Sequence, residues 1–308
     1  MRTYLATLFR LLALMLLLLP ACSATPQSST SDRSGTPIMR HVQVDGHSLR
    51  VRVANLDRRP AGSPALILES GGGAPLETWD PVLSAFAGLA AVVACDRAGT
   101  GESVWDSLPP TPERVNARLR RLLAQLDVRP PYIMVGHSWG GALARYYAGT
   151  YPSEIAVILY IDPTDITLTE ADQIAIFQSF GAGASDYEGF TRLMQRAMER
   201  APASLRAESE VILGILRSDP AKRGLQTAPH VPTSVILAGR VAAPPQNLVP
   251  FNAGLYAAAM HESQVRRLRG WVRSGGNFQI AQNAGHIVHA DDPQIIINEV
   301  RHLLRQSR

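Results

Sequence analysis

Cysteine is nearly absent. The 308-residue chain has two, Cys22 and Cys95, too few for a disulfide framework. Aromatic residues make up 6% and charged residues 18% of the chain, and the net charge is only +4. A strongly charged disordered chain is therefore excluded. The arginine pairs Arg120–Arg121 and Arg266–Arg267 read as solvated helix faces. No basic stripe with interleaved aromatics points to nucleic acid. The apolar run Leu11 to Leu19 is too short to span a bilayer comfortably.

Hydrophobic residues make up 46% of the chain, enough for one sizeable core in one large α/β domain or two small ones. Arg2, Arg10, the run from Leu11 to Leu19 and the small-residue stretch Pro20-Ala21-Cys22 together read as a secretory signal over residues 1–22. Leu19-Pro20-Ala21-Cys22 also resembles the bacterial lipobox, from which Pro20 departs. The resemblance implies a lipidated Cys22 tethering the protein to a membrane. Simple secretion and a retained N-terminal anchor are the other readings. The expectation is an exported protein, either a cell-envelope lipoprotein or a secreted one. Residues 23–39 are rich in Ser, Thr, Gly and Pro and read as a flexible linker.

From residue 40 onward, short apolar runs alternate with helical spacing. His41–Val44 and Leu49–Val53 flank Asp45-Gly46, a hairpin signal. Ala65–Glu69, Ala90–Cys95, Tyr132–Val135 and Ile155–Ile161 read as buried strands. Pro112–Leu126 and Gly140–Tyr151 read as helices between them. This alternation predicts an α/β fold with a mostly parallel central sheet and helices on both faces. Residues 164–229 break the pattern and read as an inserted helical cap, with Ile174, Phe177, Phe180, Phe190, Met194, Met198 and Leu216 as its apolar positions. Sheet signals return at Ser234–Ala238 and Asn277–Ala281, with a long helical stretch, Leu255–Val272, between them and a closing helix, Pro293–Leu304. The core is thus expected over 40–163 and 230–308.

Gly136-His137-Ser138-Trp139-Gly140 is a G-x-S-x-G sequence directly after an apolar strand and before a helix. A sharp strand-to-helix turn needs glycine on both sides of a strained serine. Such a turn makes Ser138 a candidate nucleophile and aims a helix N-terminus at developing negative charge. Ser70-Gly71-Gly72-Gly73 follows another strand. The N–H groups of Gly72 and Trp139 are the candidate oxyanion-hole pair.

Gly285-His286 follows the last strand signal, which makes His286 the candidate general base; His289 is its near rival. His286, His289, Asp291 and Asp292 could suggest a metal cluster, but Asp291-Asp292-Pro293 reads better as a helix cap and first turn. Neither metal nor cofactor is expected. The carboxylate that would orient the imidazole is less clear. None stands between the strand Ser234–Ala238 and Glu262. Asp162 is favoured, with Asp165 and Glu262 as alternatives. Asp162 could instead merely cap the end of its strand.

These residues resemble the α/β-hydrolase superfamily, specifically its small esterase-like members with a helical cap. Tyr132 to Gly141 looks like that family's nucleophile region, Asp96-Arg97-Ala98-Gly99-Thr100-Gly101-Glu102-Ser103 like its turn motif, and Gly285-His286 with Asp292-Pro293 like its end. The resemblance covers about residues 40 to 306. Ser70-Gly71 stands where many members have His-Gly, and the usual acid after the penultimate strand is missing. Serine at position 138 argues against dehalogenase or epoxide hydrolase chemistry, which uses an aspartate there.

The resemblance implies a serine hydrolase acting on a carboxylic ester, and the apolar cap residues suggest a lipophilic small-molecule substrate. Amide or peptide cleavage of the aminopeptidase kind is a second reading, for which the cap offers Glu188, Glu199, Glu208 and Glu210. Acyl transfer to an alcohol and a non-catalytic envelope binding protein on the same fold also stay open.

Overall fold

The computed structural model describes residues 35–225, 227 and 230–307. Cys22, the expected signal over 1–22 and residues 23–34 of the expected linker lie outside the described residues. One sheet of eight strands organises the chain. The strands are β1 (Ile38–Val44), β2 (His47–Ala54), β3 (Ala65–Glu69), β4 (Ala91–Cys95), β5 (Tyr132–His137), β6 (Ile155–Ile161), β7 (Thr233–Ala238) and β8 (Phe278–Ala281). Their spatial order is β1-β2-β4-β3-β5-β6-β7-β8. β1 and β2 form the antiparallel hairpin expected at Asp45-Gly46, where both residues take positive φ, as a two-residue hairpin turn requires. β1 starts at Ile38, inside the segment read as linker, because Ile38 already pairs with Val53. β2 runs antiparallel to β4, and every later pairing is parallel.

All residues of β3, β4 and β5 are buried, because helices cover both faces of a parallel sheet. The helices are α1 (Asp80–Ala87), α2 (Pro112–Gln125), α3 (Trp139–Thr150), α4 (Glu170–Ser179), α5 (Ala184–Met198), α6 (Ala203–Arg217), α7 (Ala253–Leu268), α8 (Val288–Asp291) and α9 (Pro293–Gln306). Side chains alternate across the sheet with period two. Leu66, Leu68, Ile133 and Val135 face one core with Val82 and Phe86 of α1 and Ile296 and Val300 of α9. Ile67 and Met134 face the other, with Leu119 and Leu122 of α2 and Leu143 and Tyr147 of α3. Cys95 lies buried in β4 as a free thiol.

The helical insertion between β6 and β7 consists of α4, α5 and α6. Thr169 and Asp172 form a reciprocal capping box at the start of α4. Phe177, with Ile174, Phe180 and Phe190, packs against Val249, Phe251 and Tyr256 from the segment after β7. These apolar positions therefore form the cap's own core. No helix among the described residues is long and apolar enough to cross a membrane.

One close approach decides where the site lies. α3 begins directly above the ends of β3 and β5. A Cβ placed on Gly140 would come 2.1 Å from the carbonyl oxygen of Glu69, and one on Gly136 would come 2.5 Å from that of Gly140. Both obstacles are backbone, which cannot swing aside as a side chain can. Gly140→Ala is therefore expected to destabilise the fold by at least the ~1–3 kcal/mol typical of overpacking. Urea denaturation of the variant beside the wild type measures it.

Candidate active site

Ser138 occupies the turn between β5 and α3 with φ 53° and ψ −121°. Holding a non-glycine residue there costs on the order of 1–3 kcal/mol, and neighbouring hydrogen bonds fix it. The Ser138 N–H donates to Ile161 at 3.1 Å, and its carbonyl accepts from Gly141 and Thr164, each at 3.0 Å. The Ser138 turn is thus tied to the end of β6. Trp139 is the first residue of α3, so its N–H has no intrahelical acceptor.

His286 reaches this turn from the loop after β8. Its carbonyl accepts a hydrogen bond from His137 Nε2 at 2.8 Å, and the two rings lie 4.7 Å apart. His137 directly precedes Ser138, so this bond brings the distant histidine loop to the Ser138 turn. Behind it, His289 is fully buried, packed 4.7 Å from the His137 ring and stacked at 4.5 Å on Trp79. Trp79 Nε1 in turn donates to Ser70 Oγ at 2.9 Å. A buried row of rings therefore connects the glycine loop, the Ser138 turn and the His286 loop. Burial pushes the His289 pKa down to about 3 and that of His137 well below the usual histidine range. Both rings stay neutral in neutral solution.

The carboxylates separate clearly. Asp162 Oδ2 lies 2.6 Å from His286 Nδ1. Asp162 sits just past β6 with φ 41°. Its N–H donates to Ile236 at 2.7 Å, and its Oδ1 accepts from the Ala238 N–H at 3.1 Å. The end of β7, which carries no acid of its own, thus supplies a donor that holds the acid of the neighbouring strand. Asp165 turns away to Arg267 Nε at 2.7 Å and to Thr167. Glu262 lies on α7 with its side chain 79% exposed, facing Arg266. Of the three carboxylates weighed, only Asp162 meets the imidazole. The His286 side chain remains half exposed. Among the described residues no hydrogen bond joins Ser138 Oγ to the His286 ring; such contacts often tighten only when substrate binds.

Asp292 caps α9 by accepting from the Ile295 N–H, and Asp291 accepts from the Gly285 N–H at 2.6 Å. Among the described residues no group of three His, Cys, Asp or Glu side chains is placed to hold a metal ion.

The glycine loop lies beside Trp139. A Cβ on Gly72 would stand 3.8 Å from Trp139 Cβ. Arg97 Nη1 donates to the Ser70 carbonyl at 2.7 Å, and Nη2 donates to that of Gly71 at 2.6 Å. Glu208 accepts from the Gly73 N–H at 2.5 Å. The Gly72 N–H takes part in none of the described hydrogen bonds. The sequence pointed to no role for Arg97, His137 or Glu69, and to Glu208 only as part of an acidic pocket for a free amine. A signal existed for Glu69, a carboxylate ending an otherwise apolar strand. Arg97 lay inside the quoted turn motif.

Among known proteins, the sequence model of the alpha/beta hydrolase family matches residues 66–299. The chain belongs to the α/β-hydrolase family. Its curated relatives include lipase LipV of Mycobacterium tuberculosis, 35% identical over 74 residues, covering 23% of this chain and 27% of LipV. A poly(3-hydroxyalkanoate) depolymerase of Ectopseudomonas oleovorans is 36% identical over 118 residues, covering 37% of this chain and 39% of the depolymerase. An uncharacterised Bacillus subtilis protein, YqjL, is 29% identical over 106 residues, covering 34% of this chain and 42% of YqjL. The matched part is less than half the length of each of these relatives. Among solved structures, a membrane phospholipase A superposes with a TM-score of 0.59 at 17% identity, covering 89% of this chain and 87% of that one. The epoxide hydrolase CorEH superposes with a TM-score of 0.57 at 15% identity, covering 89% of this chain and all of that chain. At such identities the likeness concerns the fold alone.

Glu69 has a titration consequence. Burial raises its pKa from the ordinary 4.5 to about 7; Arg97 opposes this and the Glu208 charge adds to it. A raised carboxyl keeps its proton in the folded state after the unfolded chain has lost it. Stability linked to Glu69 is therefore full below pH 4.5 and is lost as pH rises to about 7. Thermal unfolding should show the wild type losing stability relative to Glu69→Gln across that window, with no further divergence above it.

Proposed function

We propose that this hydrolase cleaves carboxylic esters through an acyl-enzyme on Ser138, with His286 as general base and Asp162 as the group that orients it. The observation carrying the reading is the 2.6 Å contact between His286 Nδ1 and Asp162 Oδ2, made beside a serine held at φ 53° in the turn before a helix. With Nδ1–H engaged by the carboxylate, Nε2 is left as the free base. Nε2 takes the Ser138 hydroxyl proton as Oγ bonds to the ester carbonyl carbon. The oxyanion that forms is stabilised by the N–H groups of Gly72 and Trp139. Collapse breaks the bond to the alcohol oxygen, which leaves with the proton from His286. Water then gives a proton to His286 and attacks the acyl carbon. The acid is released and Ser138 regains its hydrogen.

The lipase and depolymerase relatives support a lipophilic ester as substrate. The cap phenylalanines do not, since they fill the cap's own core. Aminopeptidase-like cleavage would need an unpaired acidic pocket for a free amine. Glu208 is instead engaged by Arg97 and by the Gly73 N–H, and Glu188 pairs with Arg192 at the surface. Export rests on residues 1–22, with Cys22 as the lipidated residue and attachment to the cell envelope as the result.

Ser138→Ala is expected to abolish turnover of short p-nitrophenyl esters and labelling by a fluorophosphonate probe; full labelling of the variant would refute the assignment. Asp162→Asn should lower kcat by roughly 10³–10⁴ while leaving the fold intact, because the imidazole is then held in the wrong tautomer. Unchanged kcat would remove Asp162 from the triad. For the anchor, Cys22→Ser should move the protein expressed in a bacterial host from the detergent to the aqueous phase on Triton X-114 partition.

A further inference from the structure

We infer that Glu208 on α6 and Arg97 after β4 are positioning residues for the Gly71-Gly72-Gly73 loop, so that seating this cap helix and aligning the Gly72 N–H are one event. The inference rests on the proposed ester reading and extends it from the sheet into the cap.

The connection is direct. Glu208 Oε2 accepts from the Gly73 N–H at 2.5 Å, and its Oε1 accepts from Arg97 Nε at 2.9 Å. The same guanidinium holds the carbonyls of Ser70 and Gly71 at 2.7 and 2.6 Å. Both carbonyls before Gly72 and the N–H after it are therefore fixed by one ion pair, and the peptide between them has little freedom left. Gly73 needs its positive φ of 66° for this shape, which glycine adopts without steric cost.

Helical spacing brings the rest of one α6 face to the same loop. A Cβ on Gly73 would strike Leu205 Cδ1 at 2.5 Å, and one on Gly72 would touch Ile212 Cδ1 at 3.4 Å. Ser204 Oγ donates to the Gly99 carbonyl at 2.7 Å. Arg97 and Glu208 are 6% and 3% exposed. In such a dry setting a charge pair is strongly directional, and removing one partner leaves the other buried and uncompensated. Glu69 lies 3.6 Å from Arg97 as a second buried carboxylate, yet it touches no loop N–H. The loop's geometry is thus set by the carboxylate that comes from the cap. Lifting α6 would release the Gly73 N–H and free Arg97, and the candidate oxyanion donor would lose its alignment with Trp139.

The test uses the full chain with Glu208→Ala, Glu208→Gln and, as a control on the same helix, the exposed Glu210→Ala. Hydrogen exchange of the peptide spanning residues 70–75 should speed up in Glu208→Ala and stay at the wild-type rate in Glu210→Ala. With p-nitrophenyl butyrate, Glu208→Ala should lose about 10- to 100-fold in kcat, short of the roughly 10²–10³ cost of deleting a donor outright. KM should stay within about twofold, the pattern of an interaction felt only in the transition state. Glu208→Gln keeps an oxygen for the Gly73 N–H and should recover part of both losses. A risen KM with unchanged kcat would make Glu208 a substrate contact and overturn the inference, as would unchanged exchange of the loop in Glu208→Ala. Faster exchange in a protein whose wild type cleaves no ester would uphold the positioning and sink the ester reading instead.

Discussion

The site depends on the absence of any side chain between the first turn of α3 and the ends of β3 and β5. With hydrogen alone at Gly136 and Gly140, the helix settles onto the backbone of Glu69. The chain must then reverse direction within one residue, and that residue is Ser138. The strained conformation is held by hydrogen bonds to Ile161, Gly141 and Thr164, so the cost of order 1–3 kcal/mol is offset by the surrounding packing. The same geometry leaves the first N–H of α3 without an intrahelical partner.

Around that turn the fold gathers groups from far along the chain. His137 holds the His286 carbonyl, and Asp162 holds its ring. The histidine is therefore fixed from two sides, by the residue before Ser138 and by the strand next to it. The buried row of Trp79, His289 and His137 is kept neutral by desolvation, so it adds packing without adding charge beside the imidazole. In the proposed triad the acid stands one strand inward from its usual family position. Asp162 can be held there because β6 and β7 run parallel with Ile161 opposite Ile236, and β7 continues two residues further to Ala238, whose N–H donates to Asp162.

The cap is more than a cover in this arrangement. Its aromatic core is closed on itself and on the Val249–Tyr256 segment, while one face of α6 carries Leu205, Glu208 and Ile212 onto the glycine loop. Two buried carboxylates share one guanidinium there. Burial leaves Glu69 with a raised pKa, while Glu208 keeps the shorter contact to Arg97.

The sequence by itself determined the architecture and pointed to the residues of the candidate site. Apolar runs such as Ala65–Glu69 and Tyr132–Val135 can bury both faces only in a helix-covered parallel sheet, and Gly136-His137-Ser138-Trp139-Gly140 can hardly be anything but a tight strand-to-helix turn. Those signals are local, set by periodicity and by steric limits on neighbouring residues. A place at a strand end favoured Asp162 over Asp165 and Glu262, but the contacts that separate the three were not legible, because they depend on which strand ends lie side by side and which arginine reaches each carboxylate. Arg267 claims Asp165, and Glu262 faces solvent. The join between Glu208 and the glycine loop, 135 residues apart, was equally hidden. A charge on an amphipathic helix reads as surface until packing shows which face is covered. Only the tertiary structure decides that, because burial and hydrogen bonding between distant segments leave no periodic trace in the chain.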